Sequence, residues 1–368
     1  PSASQIGHTL VGAGVGSVLA WAPGKIYIAG PYNGAPFSIV AITSAKVGPF
    51  DLGTVVVREA LKIDPNTAAV TVDASASDPI PHIIQGIVVH VRDIRVYVDR
   101  SAFTLNPTNC ERLNFAATVS GAGANFASPA DDIPATVNDP FQAADCQGLK
   151  FNPIFKVSTS GKTSRKGGAS LMVKLNYPVA AQGSQANIRA VKVDLPKQLP
   201  SRLTTLQKAC TDATFNRDPA GCPPASRVGQ ATARTPILPV PLTGPAYFVS
   251  HGGARFPELI VVLQGYGVTV YLHGETFISR AGITSSTFRT VPDQPVTSFE
   301  LKLPQGPGSA LAANGNLCKS KLRMPTAFTA QNGLVIHRST SIAVTGCARH
   351  RAKLAGAKTK GVERTQRF

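Results

Sequence analysis

Acidic side chains are scarce in this sequence: 20 Asp and Glu stand against 37 Lys and Arg, a formal net charge of +17. Charged residues of either sign make up only 15% of the chain, while 43% is hydrophobic, a balance that fills cores and argues against intrinsic disorder. Tryptophan occurs once, at Trp21, and aromatics reach 7%, which leaves little material for the stacking platforms of a dedicated sugar-binding module. No two cysteines have CxxC spacing, which argues against zinc ribbons and thioredoxin-like redox chemistry. No HxH or HExxH joins the seven histidines, and no GxSxG turn presents a nucleophile. The apolar stretch "IGHTLVGAGVGSVLA" (6–20) is too short and glycine-rich for a membrane span and lacks the basic start of a signal peptide. An export signal is therefore expected upstream of residue 1.

What the chain has in quantity is punctuation. Its 33 Gly and 29 Pro recur without a collagen-like period, at the spacing expected between short strands. The 368 residues suffice for two or three domains. The expected class is all-β: tandem antiparallel, immunoglobulin-like β-sandwich modules with one short helix and intradomain disulfides. Six cysteines permit full pairing in fifteen ways. Sequential pairing is expected (Cys110 with Cys146, Cys210 with Cys222, Cys318 with Cys347), because each pair then lies inside one module. Such bridges contribute roughly 3–4 kcal/mol each if unstrained and point to an extracellular or cell-surface location.

Two distant stretches share an opening phrase. "PSASQIG" begins the chain and "PPASRVG" (223–229) follows Cys222 directly. Gly24, Tyr27, Gly34, Ala35 and Phe37 then fall on Gly244, Tyr247, Gly253, Ala254 and Phe256, with small gaps. "LNPTNC" ending at Cys110 answers "ANGNLC" ending at Cys318, and "FQAADC" ending at Cys146 answers "IAVTGC" ending at Cys347. Four blocks in one order make an internal repeat. The first copy lacks the cysteine that would precede Pro1, so the chain is expected to start partway through a repeat unit.

The resulting division is a β module at 1–150, a smaller β-sandwich module with the helix at 151–222, the second copy of the first module at 223–347, and a disordered basic tail at 348–368. Alternation supports the strands. In "IRVYVDR", Ile94, Val96 and Val98 share a face; in "TVVVREALKI", Val55, Val57, Leu61 and Ile63 do, with Glu59 the exception. "DPNT" (64–67) reads as the turn of a hairpin. The helix is expected in "PSRLTTLQKAC" (200–210), capped by Ser201, with Leu203, Leu206 and Cys210 on its buried stripe.

These blocks carry a resemblance. "LPKQLPSRLTTLQKAC" followed by "PPASRVG", "LTGPAYFV" and "NGNLC", together with "GPFDLGTVVVR" (48–58), resembles large uncharacterised secreted repeat proteins of soil actinobacteria. The similarity covers most of residues 1–347. It implies an exported, tandemly repeated β protein and no particular activity.

Chemistry is thin. "SGKTS" (160–164) has the end of a phosphate loop, but Lys156 stands where its first glycine belongs. "SHGGA" (250–254) reads as a turn needing positive φ at Gly253. Asp131, Asp132 and Asp139 form a weak calcium candidate in the only acidic stretch, matching no known loop template. No cofactor and no catalytic residue is expected. The expected role is a non-enzymatic structural or adhesive repeat of the cell surface or matrix, its partners the neighbouring repeats. The basic charge suggests an anionic polysaccharide or cell-wall polymer as the alternative partner. A secreted hydrolase comes third, and nothing indicates specific nucleic-acid binding.

Overall fold

The computed structural model describes residues 2–14, 18–47, 49–121, 134–178, 183–253 and 255–347. The expected tail at 348–368 lies outside the described residues. The chain is mostly β, as expected, but its sheets are not sandwiches.

The first body opens with β1 (Gln5–Ala13), β2 (Ala20–Ala29), β3 (Phe37–Val47), β4 (Phe50–Ile63) and β5 (Val70–Asp73). A two-stranded ribbon follows, β6 (Ile83–Ile84) and β7 (Ile87–Val88), then β8 (Val91–Val98). Strands β5-β4-β3-β2-β1-β8 form one curved antiparallel sheet. The "DPNT" hairpin forms between β4 and β5: Asp64 Oδ1 accepts hydrogen bonds from the backbone N–H groups of Asn66 and Thr67. Next comes a hairpin of β9 (Arg112–Val119) and β10 (Ala135–Gln142), paired only with each other among the described residues.

The second body contributes β11 (Ile154–Ser160), β12 (Leu171–Asn176), β13 (Ile188–Asp194), α1 (Leu203–Leu206), β14 (Cys210–Thr211) and α2 (Asp212–Arg217). It continues with β15 (Arg227–Arg234), β16 (Leu242–Ser250), β17 (Glu258–Gly265), β18 (Val268–Ile278), β19 (Thr284–Phe288), β20 (Ser298–Leu303), β21 (Arg323–Ala330) and β22 (Val335–Thr345). The order β16-β15-β20-β12-β11-β22-β21-β13-β19-β18-β17 returns to β16 through the pair Ala246↔Val261, closing an 11-stranded barrel. Closure removes the free edges that an open sheet leaves.

Three expectations are corrected here. Residues 151–222 make no sandwich of their own; β11–β13 are staves of the same barrel as β15–β22. The barrel is not wholly antiparallel, since β11 runs parallel to β22, and outside the ring β14 runs parallel to β16. Ser201 caps no helix: its N–H donates to Thr284 Oγ1, α1 starts at Leu203, and the exposed Leu203 faces away from the core. The second helix, α2, is capped by Thr211 and fills the loop between Cys210 and Cys222. Its one buried residue, Phe215, packs edge-on against Tyr247 and obliquely against Tyr271, with ring centroids 6.0 and 5.7 Å away. Strand β17 is therefore covered on both faces, by the barrel interior and by α2. That coverage is why "LIVVL" is an unbroken apolar run rather than an alternation.

The three disulfides join Cys110–Cys146, Cys210–Cys222 and Cys318–Cys347, with Cα separations of 5.8, 5.4 and 5.7 Å. The third rests against Gly161 at the end of β11, where any Cβ would collide with both sulfurs. That contact accounts for the glycine of "SGKTS" without a phosphate.

The two bodies share a strand order. Sheet positions β8-β1-β2-β3-β4-β5 read as β20-β15-β16-β17-β18-β19 do in the barrel. A bulge falls between Gln5 and Gly7 in β1 and between Arg227 and Gly229 in β15. A Cβ on Gly7 would meet the Tyr97 carbonyl oxygen of β8, and one on Gly229 the Lys302 carbonyl oxygen of β20.

Candidate functional site

The interior of the barrel is the first candidate. Side chains alternate across every strand, so eleven strands send half their residues inward. A barrel of this size is too wide for those side chains alone to fill. The lumen holds a cavity of about 320 Å³, lined by residues including Leu171, Val193, Leu272, Phe288, Leu301 and Phe328. No Lys, Arg, Asp, Glu or His is among its described lining residues. The polar lining includes Thr276 of β18, which pairs with Ser286 of β19, and Thr284 close by. Thr276 is 9% exposed and its hydroxyl has no hydrogen-bond partner. An unsatisfied buried hydroxyl costs about 1–3 kcal/mol. Tyr177 also lines the cavity, and burial, together with the Asp293 carboxylate, drives its phenol pKa up. One end of the lumen is bordered by the β4–β5 hairpin, through Ile63, Ala68 and Val70.

The concave face of the six-stranded sheet is the second candidate, a cavity of about 240 Å³ lined by residues including Ile6, Val11, Ile26, Val57 and Ile94. Glu59, the exception in the sequence pattern, is an acid on this apolar face, and burial raises its pKa above the usual 4.5. With the folded value raised, Glu59 favours folding fully below its unfolded pKa, and that contribution is lost as pH rises through the folded pKa. Glu59→Gln is therefore expected to flatten the pH dependence of the first sheet's stability from the usual glutamate value of 4.5 upward, read as urea midpoints over that range. An unchanged slope would assign the dependence elsewhere.

The polar contacts between the bodies include two joints. Asp293 accepts from the Thr108 N–H (2.7 Å) and hydroxyl (2.6 Å) and from the Asn109 (3.1 Å) and Asn187 (2.8 Å) amides. The second joint is a relay. Glu258 Oε2 lies 3.0 Å from His251 Nε2 and 3.3 Å from His273 Nδ1, and His251 Nδ1 lies 3.1 Å from Asp212. His273 Nε2 reaches Asn66 Oδ1 in the β4–β5 turn, at 3.1 Å. Both histidines hold the Glu258 carboxyl below its usual range, His273 more strongly.

The sequence treats these histidines as isolated. Strand pairing gathers His251 and His273 on Glu258, while the neighbouring Glu275 of "HGE" binds Arg289 instead. Among the described residues, no group of three or more metal-ligating side chains is placed to hold an ion. Asp131 and Asp132 lie outside the described residues, and Asp139 is exposed on β10. Gly34 and Gly253, matched in the repeat, both have positive φ (84° and 68°), as a turn requires. No helix among the described residues is long and apolar enough to cross a membrane.

No family model matches the chain, and no curated protein matches it. Among solved structures, the chain is similar to the crystal structure of the N-terminal domain of the Streptococcus gordonii adhesin Sgo0707. The match covers 88% of this chain and 79% of that one, with 8% identity and a TM-score of 0.23. At that level the likeness carries no argument about fold or role.

Proposed function

We propose that this chain belongs to a non-enzymatic, exported repeat protein with a structural or adhesive role at the cell surface or in the matrix. Its two bodies are copies of one barrel-forming unit. The observation that supports this reading is the coincidence of strand order, bulge position and obligatory glycines in 1–150 and 223–347. Three local disulfides fit an oxidising compartment. Units that contact only their neighbours stack into a line. Small-angle scattering of the full chain tests this: the radius of gyration is expected well above the ~21 Å of a compact chain of this length. A value at that limit, or six alkylatable thiols in native protein, counts against the reading.

The lumen favours a second reading, in which each closed unit carries an apolar molecule. A cavity of about 320 Å³ with one unpartnered hydroxyl suits an uncharged hydrocarbon bearing a single hydroxyl or carbonyl. Dodecanol is expected to bind and dodecanoate to bind far more weakly, since the described lining offers no cation. Thr276→Val is expected to stabilise the free chain by about 1 kcal/mol and to weaken dodecanol binding, both readable by calorimetry. Equal binding of the acid and the alcohol would remove the lumen as the site.

A further inference from the structure

We propose that the six-stranded sheet is one wall of a second 11-stranded barrel. Its missing staves are a three-strand segment of the pattern of residues 151–222, supplied by the unit ahead of it in the same polypeptide. The proposal rests on the repeat reading above and adds how consecutive units are joined.

The barrel shows what is absent. Between β20 and β19 it runs β12-β11-β22-β21-β13. In the first body β8 takes the place of β20 and β5 that of β19. The β9–β10 hairpin, bounded by Cys110 and Cys146, takes the place of the β21–β22 hairpin, bounded by Cys318 and Cys347. Only the counterparts of β11, β12 and β13 are unaccounted for. All three come from the stretch that precedes "PPASRVG", the phrase matching the start of this chain.

The surface left behind has the character of an interior. The register Gly7↔Val98, with Gly229 against Lys302 and Leu303, sets Val96 on Leu301 and Val98 on Leu303. Val96 and Val98 are 60% and 47% exposed; Leu301 and Leu303, covered by β12, are 7% and 6% exposed. Phe115, Val119 and Val137 of the unanchored hairpin are exposed as well. A bare apolar edge of this length is a template for strand addition.

One charge specifies the donor further. On the outer face of the barrel Lys174 of β12 sits opposite Glu300 of β20, its Nζ 2.7 Å from the carboxylate. The same register places Arg95 of β8 at the Glu300 position. Among the described residues Arg95 pairs with its strand neighbour Asp93, at 3.0 Å, and lies over the Trp21 ring. The donor strand therefore carries an acid where β12 carries Lys174, because like charges directly opposite oppose pairing.

The experiment places a second copy of residues 151–222 directly ahead of Pro1 of the full chain, with Lys174→Glu in that added copy. Amide exchange across Val91–Val98 and Val70–Asp73 is expected to slow by about 100-fold or more relative to the unfused chain. With Lys174 retained the protection falls, and Arg95→Glu in β8 restores it. An added copy bearing Leu171→Asp and Leu175→Asp is expected to protect neither strand. Unchanged exchange in the Lys174→Glu fusion, or equal protection from the aspartate-bearing copy, overturns the proposal. The scattering result stands apart: an extended chain whose β8 stays unprotected keeps the repeat and loses the shared barrel.

Discussion

Replacing Cys318 and Cys347 together by serine is expected to lower the stability of the barrel by about 3–4 kcal/mol, the loop-closure contribution of a bridge with its sequence separation of 29. The loss should appear as a lower urea midpoint, and dithiothreitol should reproduce it in the unsubstituted chain. This bridge matters beyond its loop. It fastens the approach to β21 to the end of β22, and β22 holds β11 through the parallel pairs Val157↔Ile342 to Ser160↔Thr345. That seam joins residues about 185 positions apart, the kind of contact that is entropically expensive to form. Gly161→Ala is expected to cause part of the same loss, because the sulfurs must move to admit the methyl group. Removing Cys210–Cys222, with its separation of 12, should cost about 3 kcal/mol. Its effect should centre on α2 and the Phe215 cluster, leaving the seam intact. Equal loss of β11 amide protection in the two double variants would contradict the assignment of Cys318–Cys347 to barrel closure.

Local structure was legible in the sequence wherever one residue's role depends on its neighbours. "DPNT" makes its turn because Asp64 accepts from amides two and three residues on. The alternation of "IRVYVDR" makes a strand, and three sequential cysteine pairs close as expected. What alternation cannot encode is which edge meets which. A strand with one apolar face serves a sandwich or a barrel equally well, so the pairing of β12 with β20 and the return of β17 to β16 were out of reach. The Ser201 cap failed for a related reason. Ser201 resembles a cap, but a strand far away claims its N–H through Thr284, so α1 begins at Leu203 and buries Thr205 and Leu206, while α2 relies on one buried residue, Phe215. The candidate sites depend on the same long-range pairings. Thr276 faces the lumen only because β18 lies between β17 and β19, and His273 meets Glu258 only across the β17–β18 ladder. Glu59 was visible in advance, since an acid at an apolar position needs no partner to be conspicuous. The GKT of "SGKTS" was visible for the wrong reason: the disulfide requires its glycine, not a phosphate.

Gly244→Ala is expected to destabilise the barrel by about 3 kcal/mol or more, whereas Gly24→Ala at the matching place in the open sheet should cost no more than about 1 kcal/mol. At both glycines an added Cβ would meet a neighbouring strand. In β16 the ladder passes from Thr243↔Gln264 to Ala246↔Val261, and Pro245, which has no N–H to donate, falls in the gap. A Cβ at Gly244 would run into the carbonyl of Val262, with its carbonyl carbon 3.0 Å away. That obstacle is backbone of the strand that closes the barrel, so relief means opening the β16–β17 seam rather than turning a side chain. At Gly24 the nearest groups are the Thr9 and Thr43 hydroxyls, which can rotate, and the Ile42 carbonyl oxygen at 2.9 Å. The open sheet has two free edges and can flatten to accommodate a methyl group; a closed ring of eleven strands cannot. Restricting the unfolded chain offsets only about 0.4–1 kcal/mol of either loss. Urea midpoints of the two variants, with amide exchange in Leu259–Leu263 as the local readout, distinguish the cases. If the proposed donor segment completes the first barrel, the cost of Gly24→Ala should climb toward that of Gly244→Ala in the fused chain. A Gly24→Ala penalty that stays small after fusion would mean that the sheet remains open.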